Sequence, residues 1–441
     1  MKTKLEKFSQ SVTLKGLIIL VLTLLMLIPG AMIRGLIRER QERSEETIGK
    51  INSKWSDAQT LCGPVITMPY AVYYTDDDNK SRVNHTSLTL TPEKLEVKAQ
   101  LLPEVKYYGI YKTILYKSRI EMSGEFNKAQ LKNLNSGVMS PEKAQLKFGL
   151  SDLKGVASQV EFVINGRTYD TEAAGSSDYR FGQALVAALG DQELTAGGDR
   201  LFFSCKLDLN GSSYLNFVPI GQTTRVDVSG AWASPSFIGG FSPESTVTES
   251  GFDAKWNVLR FNRNIPEVWV GDNVESFDTF GVSLIEPVDH YQQNMRSAKY
   301  ASMFIILTFV VFFFVEILTH KRIHPIQYLL VGFALILFYS LLLSISEQIG
   351  FGWAYLIASA ATIALITAYT STIFRNKAQT GALAAILALL YVFLYVVLQL
   401  EDVALLIGSI GLFVILGIIM YFSRKVNWYK PAEGQEGQAG K

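Results

Sequence analysis

The placement of long apolar segments limits the possible folds of this chain more than any other feature. One uncharged segment, Gly16 to Ile33, lies near the start, and after a long polar stretch five more fill the last third. A helix rises about 1.5 Å per residue and a bilayer core is about 30 Å thick, so each is near the length of a spanning helix. The pattern predicts six transmembrane helices. The later segments are Tyr300 to Leu318, Ile326 to Ile345, Phe351 to Phe374, Ala378 to Leu400 and Val403 to Phe422.

A cleaved signal peptide is the alternative for the first segment, because lysines precede it. The apolar core of a signal peptide usually has about 7 to 15 residues, which is shorter than this segment. The chain then continues into Arg34, Arg38 and Arg43 with a spacing that suits a helix. We therefore predict an uncleaved anchor, whose helix can continue beyond the membrane as far as Trp55.

Basic residues in the short loops give the direction of insertion, because such loops stay in the cytoplasm. Arg375 and Lys377 follow the fourth predicted helix, and Arg424 and Lys425 follow the sixth. Both termini are therefore predicted to be cytoplasmic, and the long polar stretch is predicted to face outward. The loops on the outward side carry acidic residues instead, and these are Glu347, Glu401 and Asp402.

The long polar stretch is predicted to consist mainly of β-strands. Leu95, Val97 and Ala99 alternate with polar neighbours, and this period of two is typical of strands with one buried face. Asn165-Gly166 and Asn210-Gly211 lie between such strands, and Asn-Gly readily adopts the positive φ angles of a type I′ hairpin turn. We predict antiparallel sheet in a sandwich-like arrangement.

A few parts of this stretch do not alternate. Short helices are predicted around Asn127 to Asn133 and around Gly182 to Leu189. Ala173 to Ser177 and Thr195 to Gly198 are predicted to be loops. No internal repeat is apparent in the chain.

Composition and cysteine content restrict the partners and the redox chemistry. The formal net charge is +1 and no block of basic residues is present, so no nucleic-acid partner is predicted. Cys62 and Cys205 both fall in the outward stretch, where oxidising conditions permit a disulfide. Cys205 also alternates with Leu201, Phe203 and Leu207 on an apolar strand face, which favours the alternative of two separate buried thiols.

The sequence lacks the motifs that most often indicate catalysis. It has no phosphate-binding glycine loop, no paired-cysteine zinc spacing, no HExxH and no GxSxG string. His85 and His290 are the histidines of the outward stretch, so a hydrolase with a histidine base has few options there. We predict a protein that is not an enzyme and has no cofactor. A metal-assisted hydrolase is the least favoured alternative.

Glu316, His320 and His324 form a polar group at the end of the second predicted helix. Glu316 and His320 lie one turn apart and could share a proton in a relay or coupling element. Metal binding is a weaker alternative, because a proline interrupts the helix after His324. The favoured interpretation is a structural ion pair near the cytoplasmic end, with Lys321 or Arg322 as the partner of Glu316.

The three acidic residues of the outward loops could form a mouth that attracts cations. Each of them, however, shortly precedes a predicted helix, whose positive N-terminal end favours negative charge. We favour this structural explanation and keep all the polar residues of interest as candidates for function or coupling. The candidates are Glu316, His320, His324, Glu347, Glu401 and Asp402.

Several strings, in the correct order, resemble the CreD family of bacterial inner-membrane proteins. The longest are HPIQYLLVG at His324 to Gly332 and FYSLLLSISEQIGF at Phe338 to Phe351. The chain departs from the family pattern at Lys106, Gln348 and Asn427, where Arg, His and Asp are usual. Further matching strings are IPGAMIRGLIRER from Ile28, GPVITMPY from Gly63, YYGIY from Tyr107, SDLKGV from Ser151, SPSFIGGF from Ser234, ESGFDAKW from Glu249, FFFVEILT from Phe312 and EDVALLIGS from Glu401.

The resemblance implies an inner-membrane protein linked to cell-envelope integrity, with altered tolerance to colicins and β-lactams. It also implies control by a two-component system that responds to carbon source or to cell-wall stress, and it implies no catalytic residues. The expected partners are the lipid bilayer and a periplasmic or envelope protein. The leading hypothesis is a noncatalytic factor that acts through its periplasmic domain. The alternative is a transporter or channel component that uses Glu316 and the acidic loops.

The predicted fold class is an α+β membrane protein with one N-terminal and five C-terminal transmembrane helices. A large β-rich periplasmic domain is inserted between the first helix and the second. The oligomeric state is not predicted, because no helix has an obvious GxxxG face. The predicted domains are the cytoplasmic N-terminus with the first helix at 1–43, the β-rich periplasmic domain at 44–299, the five-helix bundle at 300–425 and a disordered cytoplasmic tail at 426–441.

Overall fold

The computed structural model of the chain describes residues 12–75, 80–134, 137–174, 183–195, 198–271, 277–284, 290–319, 323–374, 376–400 and 403–424. The chain divides into two compact units. The helical unit comprises Met1–Ser44 and Val288–Lys441, and the β-rich unit comprises Glu45–Pro287. The predicted α+β class is confirmed. The predicted tail at 426–441 lies outside the described residues.

The long helices of the described chain are strongly apolar. Of these, α1, α5, α6, α7 and α8 are each long and apolar enough to cross a membrane. The short helix α3 meets α4 at a bend of 45°, and the two together make a sixth candidate. Each of the six predicted segments therefore falls in a helix. In chain order the helices are α1 (Val12–Trp55), α2 (Asp191–Thr195), α3 (His290–Lys299), α4 (Ala301–Thr319), α5 (Pro325–Ile349), α6 (Phe351–Phe374), α7 (Lys377–Gln399) and α8 (Ala404–Ser423).

Helix α1 is a single helix of 44 residues that extends well beyond the first apolar segment. It contains Pro29 within the apolar part, and a proline is tolerated in membrane helices when neighbouring groups satisfy the freed carbonyl. After Ile33 the sequence is rich in arginine and glutamate, which are good helix formers, so the helix continues to Trp55 as predicted. The boundary between the two units falls within α1, after Ser44.

Helix α3 is a polar helix that the predicted domain boundaries place in the β-rich domain. Its buried residues are Tyr291, Asn294, Ser297 and Ala298, and it packs against α5. The helix therefore belongs to the helical unit, and the unit boundary lies at Pro287 rather than at residue 299. Hydropathy does not indicate this packing, because hydroxyl and amide groups make up much of the buried face.

The β-rich unit contains two sheets. Within the described residues the first has ten strands and follows the order β14-β18-β12-β1-β6-β10-β9, with β2 and β5 also paired to β1 and β17 paired to β2. The second has eight strands in the order β15-β16-β13-β3-β4-β11-β7-β8. The strands are β1 (Gln59–Thr75), β2 (Ser81–Leu90), β3 (Lys94–Tyr108), β4 (Tyr111–Asn127), β5 (Gly137–Met139), β6 (Gln145–Leu150), β7 (Glu161–Ile164), β8 (Arg167–Asp170), β9 (Glu172–Ala174), β10 (Gln183–Ala188), β11 (Arg200–Ser212), β12 (Tyr214–Phe217), β13 (Thr223–Gly230), β14 (Pro235–Gly239), β15 (Glu244–Thr248), β16 (Gly251–Leu259), β17 (Val268–Val270) and β18 (Phe280–Leu284).

Most neighbouring strands are antiparallel, as predicted, but two pairs are parallel. These are β1 with β12 and β3 with β13. Long chain segments separate the two strands of each pair, and such connections allow a strand to return in the same direction. The prediction of antiparallel sheet is therefore wrong for these two pairs.

The inner faces of the two sheets share one apolar core. Trp256 of β16 lies against Phe280 of β18 with ring centroids 5.5 Å apart, and Phe148 of β6 lies against Phe162 of β7 at 6.3 Å. All four side chains are buried. Burial of one large apolar side chain contributes about 1.5 to 3 kcal/mol, so the contact between the sheets stabilises the unit strongly. The predicted sandwich-like packing is present.

Two local predictions for the strands are confirmed. Leu95, Val97 and Ala99 of β3 are buried, while the residues between them are exposed. Asn165 and Gly166 have φ angles of 46° and 85° and connect β7 to β8 in a tight turn. Positive φ at both positions is the requirement that selects Asn-Gly at this turn.

The second predicted Asn-Gly turn is wrong. Asn210 and Gly211 lie inside β11, where they pair with Lys117 and Tyr116 of β4. A Cβ atom on Gly211 would come within 2.3 Å of the Tyr116 hydroxyl oxygen. The glycine therefore makes room for a neighbouring ring, and the left-handed residue that follows is Ser213, with a φ of 61°.

The predictions for the segments without alternation have mixed outcomes. A 3₁₀ helix at Lys128–Asn133 confirms the first of them. The helix predicted at Gly182 to Leu189 is wrong, because Gln183–Ala188 is strand β10, and pairing with β6 and β9 outweighs the helix propensity of its alanines. The two predicted loops are wrong in part, since β9 extends to residue 174 and α2 to residue 195. Residues 175–177, 182 and 196–197 lie outside the described residues.

Candidate functional site in the helical unit

Glu316 lies near the end of α4, within an apolar sequence, and is only 3% exposed. Its Oε1 atom lies 2.5 Å from the Lys15 Nζ atom of α1. Its Oε2 atom accepts a 2.9 Å hydrogen bond from the Tyr328 hydroxyl of α5. Three helices thus each contribute one polar side chain to a triad, and both carboxylate oxygens are satisfied.

The surroundings of this triad are apolar. The rings of Phe309 and Phe312 lie edge-on to the Tyr328 ring, with centroids 5.7 Å and 6.0 Å away. In such surroundings an unpaired charge is costly, whereas a paired and hydrogen-bonded charge is tolerated. The arrangement can therefore hold α1, α4 and α5 together as a structural ion pair, and it can also place a proton-accepting group inside the bundle.

The ionic partner of Glu316 differs from the expected ones. Lys321 and Arg322 lie outside the described residues, and Lys15 occupies this role. Lys15 resembles an ordinary member of the basic stretch before the first helix, which is why sequence reasoning misses it. The sequence nevertheless contains an indication of this pair. Lys15 is the last basic residue before the first apolar segment, and it lies on the same predicted side of the membrane as Glu316.

A glycine allows the close packing that brings these helices together. A Cβ atom on Gly332 of α5 would come within 2.8 Å of the Met26 Sδ atom of α1 and 3.0 Å of a ring carbon of Phe309 in α4. Met26 is 1% exposed, although most of the first apolar segment is much more exposed. The small residue therefore fixes where α1 meets the bundle, and along α5 it lies about one turn from Tyr328 of the triad.

His324 caps the N-terminus of α5. Its Nδ1 atom accepts a 3.3 Å hydrogen bond from the Ile326 backbone N–H, and the Gln327 side chain accepts one of 2.9 Å from the His324 backbone N–H. This capping box, with Pro325 at the first helical position, gives the histidine a structural task. His320 lies outside the described residues, and among those described no three His, Cys, Asp or Glu side chains are placed to hold a metal ion.

A second polar group joins α3 to the last turns of α5. The Tyr291 hydroxyl donates a 3.1 Å hydrogen bond to Glu347 Oε1. Asn294 Nδ2 donates to Ser346 Oγ at 2.7 Å and to the His290 carbonyl oxygen at 2.8 Å. Asn294 and Ser346 are both almost completely buried. This group therefore fixes the polar helix α3 against the bundle.

The position of Glu347 overturns its proposed helix-dipole explanation. Glu347 lies inside the last turn of α5, which ends at Ile349, although α6 begins shortly afterwards at Phe351. The C-terminal end of a helix disfavours negative charge, so the Tyr291 hydrogen bond has to compensate for the dipole. Glu401 and Asp402, the other acidic candidates, lie outside the described residues.

The two polar groups lie at opposite ends of one seam, where α3 and α4 run antiparallel to α5. Ser297 of α3, Thr308 of α4 and Tyr339 of α5 fall between the two groups by position along the helices, and all three hydroxyl residues are buried. Within the described part of the chain, these three oxygens have no hydrogen-bond partner. Buried hydroxyls normally have one, and water is the expected partner here. Sequence reasoning misses them, because single hydroxyl residues in apolar segments form no pattern.

The β-rich unit also buries a carboxylate, that of Glu125, which is 5% exposed. Lys94 Nζ lies 2.9 Å from one of its oxygens and Arg200 NH1 lies 3.1 Å from the other. The hydrogen bond from Lys94 lowers the pKa of Glu125; burial opposes this effect and the charge of Arg200 adds to it. The three residues connect β3, β4 and β11, so this group stabilises the second sheet.

Both cysteines are buried and free. Cys205 is 4% exposed on the inner face of β11, where its alternation with apolar residues places it. Burial raises the pKa of Cys205 to about 12 and the pKa of Cys62 well above its usual value. Of the two alternatives, separate buried thiols are therefore the ones observed. Such thiols stay protonated at neutral pH and are poor nucleophiles.

A buried polar network fixes the C-terminal end of α1 within the β-rich unit. Gln59 Nε2 donates to Ser56 Oγ and to the Asp152 carbonyl oxygen, both at 2.8 Å. The Thr113 hydroxyl of β4 donates a 2.8 Å hydrogen bond to Asn52 Oδ1 of α1. Ser56 and Gln59 are 0% exposed. Because buried polar groups that are satisfied define one arrangement, the helix end has a fixed position on the sandwich.

Comparison with known proteins agrees with the resemblance found in the sequence. The family described as "Inner membrane protein CreD" matches residues 11–429, which span the whole β-rich unit and most of the helical unit. The inner membrane protein CreD of Escherichia coli (strain K12) is 32% identical over 413 residues, which cover 92% of this chain and 91% of that protein. Together with the apolar helices, these matches show that the chain belongs to the CreD family of inner membrane proteins.

Proposed function

We propose that this protein supports the integrity of the cell envelope without catalysis, by means of a β-rich domain on the periplasmic side of the inner membrane. The observation that carries the proposal is the buried network of Asn52, Ser56, Gln59, Thr113 and Asp152 at the end of α1. A flexible linker would let the domain reorient freely. Here the sandwich is hydrogen bonded to the end of the helix that continues into the first apolar segment, and we propose that a contact made by the sandwich acts on this helix.

The outer face of the second sheet supports a binding role for this domain. It carries a groove lined by side chains of both charges, among them Lys98, Glu121, Asp227 and Lys255. These residues lie on neighbouring strands, and several pair across them. A polar surface of mixed charge suits contact with an envelope protein or a polar envelope polymer better than contact with an apolar ligand.

The proposed location requires that both termini lie in the cytoplasm and that residues 45–287 lie in the periplasm. Reporter fusions test this requirement. A fluorescent protein that folds only in the cytoplasm should be active after residue 424, and alkaline phosphatase should be active when inserted in the β3–β4 turn. The reverse pattern would reject the proposed orientation.

The function itself is tested by exchange of the membrane anchor. Residues 45–287 are joined to an unrelated single membrane helix and expressed in a strain that lacks the protein. We expect partial recovery of the colicin and β-lactam tolerance that the family resemblance implies. A matched variant carries Gln59→Ala, and it should recover less, because the helix end is then loosened. Complete loss of recovery with a stable, exported domain would contradict the proposal.

A transporter or channel component is the second candidate, and one specific observation favours it. The unpartnered hydroxyls of Ser297, Thr308 and Tyr339 lie between the polar groups of Glu316 and Glu347 within the described helices. Proton or ion flux into liposomes that contain the purified protein should then fall with Glu316→Gln and not with Glu46→Gln, a change of an exposed carboxylate. Absence of flux, or equal flux in both variants, would reject this candidate.

A further inference from the structure

Strands β3 and β4 form a hairpin that extends beyond the rest of the second sheet. Pairing of β3 with β13 ends at Leu101, and pairing of β4 with β11 ends at Leu115. The two strands continue to pair with each other as far as Tyr108 and Tyr111. In the described part of the unit, the end of this hairpin is therefore a ribbon of two strands without a third strand beside it.

The tip of the ribbon exposes large side chains. Gly109 and Ile110 form the turn, and the φ of 62° at Gly109 fits the first position of a type II′ turn. Tyr107 is 70% exposed, Tyr108 is 65% exposed, and Ile110 in the turn itself is 37% exposed. Leu102, at the base of the ribbon, is 56% exposed. A group of exposed aromatic and apolar residues at one place on a soluble surface indicates an interaction site.

The part of the ribbon nearest its tip carries charge of one sign. Between residues 105 and 118 the chain contains Lys106, Lys112 and Lys117 and no acidic residue. Lys106 pairs with Glu104 at the base of the ribbon, and Lys112 Nζ lies 6.0 Å from the centre of the Tyr107 ring. Tyrosine rings are enriched at the level of lipid headgroups, and lysines near a membrane are attracted to anionic lipids. The tip therefore matches the interfacial region of an anionic bilayer.

The ribbon extends in the direction from which the chain enters the unit. Gln59 Nε2 lies 3.4 Å from the carbonyl oxygen of Asn210, which pairs with Lys117 of β4. Asn52 is hydrogen bonded to Thr113, which is nearer to the tip. The path back along the chain from Gln59 to Asn52 therefore follows the ribbon towards its tip.

We propose that the ribbon tip, Tyr107 to Tyr111, rests on the surface of the inner membrane and contacts anionic lipid headgroups. The chain is anchored in the same bilayer, so the contact is intramolecular and a weak affinity is enough to populate it. The proposal does not rest on the envelope-integrity function. It requires only that the β-rich unit lies next to the membrane that anchors it.

The test uses the full chain in lipid nanodiscs with an environment-sensitive fluorophore on Tyr108→Cys. Cys62 and Cys205 are buried, so the unmodified protein gives the labelling background. The control label is placed on Phe261→Cys, which is 90% exposed. Phe261 lies in the 3₁₀ turn Arg260–Asn262 that follows β16. The last residue of β16, Leu259, pairs with Thr223 at the start of β13, and Thr223 pairs with Lys94 at the start of β3. The control therefore lies at the opposite end of the same sheet.

Nanodiscs that contain phosphatidylglycerol and a spin-labelled lipid should quench the Tyr108 label at least about twofold more than the Phe261 label. Replacing Lys106, Lys112 and Lys117 by Gln, or using discs of phosphatidylcholine alone, should reduce this excess quenching by about half or more. A label on Tyr107→Cys, which is also at an exposed site, should give the same result. Agreement between the two sites would show that the quenching does not come from a disturbance of the ribbon by the Tyr108 substitution.

Three results would overturn the proposal. Equal quenching of the Tyr108 and Phe261 labels would show that the tip does not reach the bilayer. Equal excess quenching in neutral and anionic discs would show that the headgroup charge is not recognised. A tip label that stays exposed in discs and becomes protected only when periplasmic extract is added would assign the tip to a protein partner instead.

Discussion

The two units of this protein each bury a carboxylate beside two partners, but the partners differ in their access to water. The cations that contact Glu125 in the β-rich unit, Lys94 and Arg200, have side chains that are 57% and 55% exposed. The Lys15 side chain that contacts Glu316 in the helical unit is 30% exposed, and Tyr328 is buried. Water can replace a lost partner of Glu125 much more easily than a lost partner of Glu316. The same chemical group should therefore contribute very differently to the two units.

The largest expected effect is that of Lys15→Ala. Loss of this partner leaves the Glu316 carboxylate buried with only the Tyr328 hydrogen bond, and removing one partner of a buried ion pair costs about 3 to 5 kcal/mol. The free energy of unfolding in micelles, followed by the loss of helical circular dichroism during titration with dodecyl sulfate, should fall by this amount.

The double variant Lys15→Ala with Glu316→Gln is the control for this prediction. Its neutral amide can still accept the hydrogen bond from Tyr328, so the double variant should regain most of the lost stability. A double variant as unstable as Lys15→Ala alone would show that the loss comes from α1 packing and not from the unpaired charge.

The second prediction tests how strongly a buried neutral side chain, that of Gln59, contributes to stability when water cannot replace it. Gln59→Ala removes a 0% exposed amide and leaves the Asp152 carbonyl oxygen and the Ser56 hydroxyl without this partner. Unsatisfied buried polar groups cost about 1 to 3 kcal/mol each, and we expect a loss in this range for the β-rich unit. Chemical denaturation followed by tryptophan fluorescence measures it. A loss smaller than that of Arg200→Ala would contradict the comparison, because Arg200 is largely exposed.

The third prediction concerns pH. The folded state holds the pKa of Glu125 below its unfolded value of about 4.3, so this residue stabilises the unit above that pH. The contribution is lost as the pH falls through the lower, folded value. We expect the denaturant concentration at the unfolding midpoint to decrease as the pH is lowered from 6 to 3. The decrease should be less steep in Lys94→Gln. Equal slopes in the wild type and the variant would show that other carboxylates dominate the acid response.

The smallest effect is expected for an exposed pair in α1. Lys50 Nζ lies 2.5 Å from Glu46 Oε1, and the two side chains are 70% and 65% exposed. Such pairs one turn apart contribute about 0.3 to 0.5 kcal/mol. Lys50→Ala should therefore leave the denaturation midpoint almost unchanged. A loss above about 1 kcal/mol would mean that access to water does not separate strong from weak pairs in this protein.

Much of the architecture could be predicted because it depends on repeating patterns. Apolar length predicts the membrane helices, and a period of two predicts strands such as β3. The assignments that failed rest on short signals. Asn210-Gly211 has the composition of a turn, but Tyr116 needs the space that a glycine leaves. The alanine-rich β10 has a helical composition, but it lies between two strands whose hydrogen bonds it completes.

The candidate residues were predicted less completely than the fold. Glu316 stands out in the sequence, because a lone carboxylate in an apolar segment is rare and costly. Its partner Lys15 could not be identified with equal ease, since 301 positions separate the two residues. Glu347 was recognised as a candidate but received the wrong physical explanation, because that explanation depended on where α5 ends.

The sequence alone determined what each segment of this protein must avoid: apolar segments must leave water, and alternating segments must bury one face. These requirements follow from local composition, and they led to the membrane helices and the β-rich unit, whereas the family was indicated by its matching sequence strings. Only the tertiary structure decided which polar groups meet, because the ion pair of Lys15 with Glu316 and the network around Gln59 join residues far apart in the chain. Such pairs have no local period, and their energy appears only when packing excludes water.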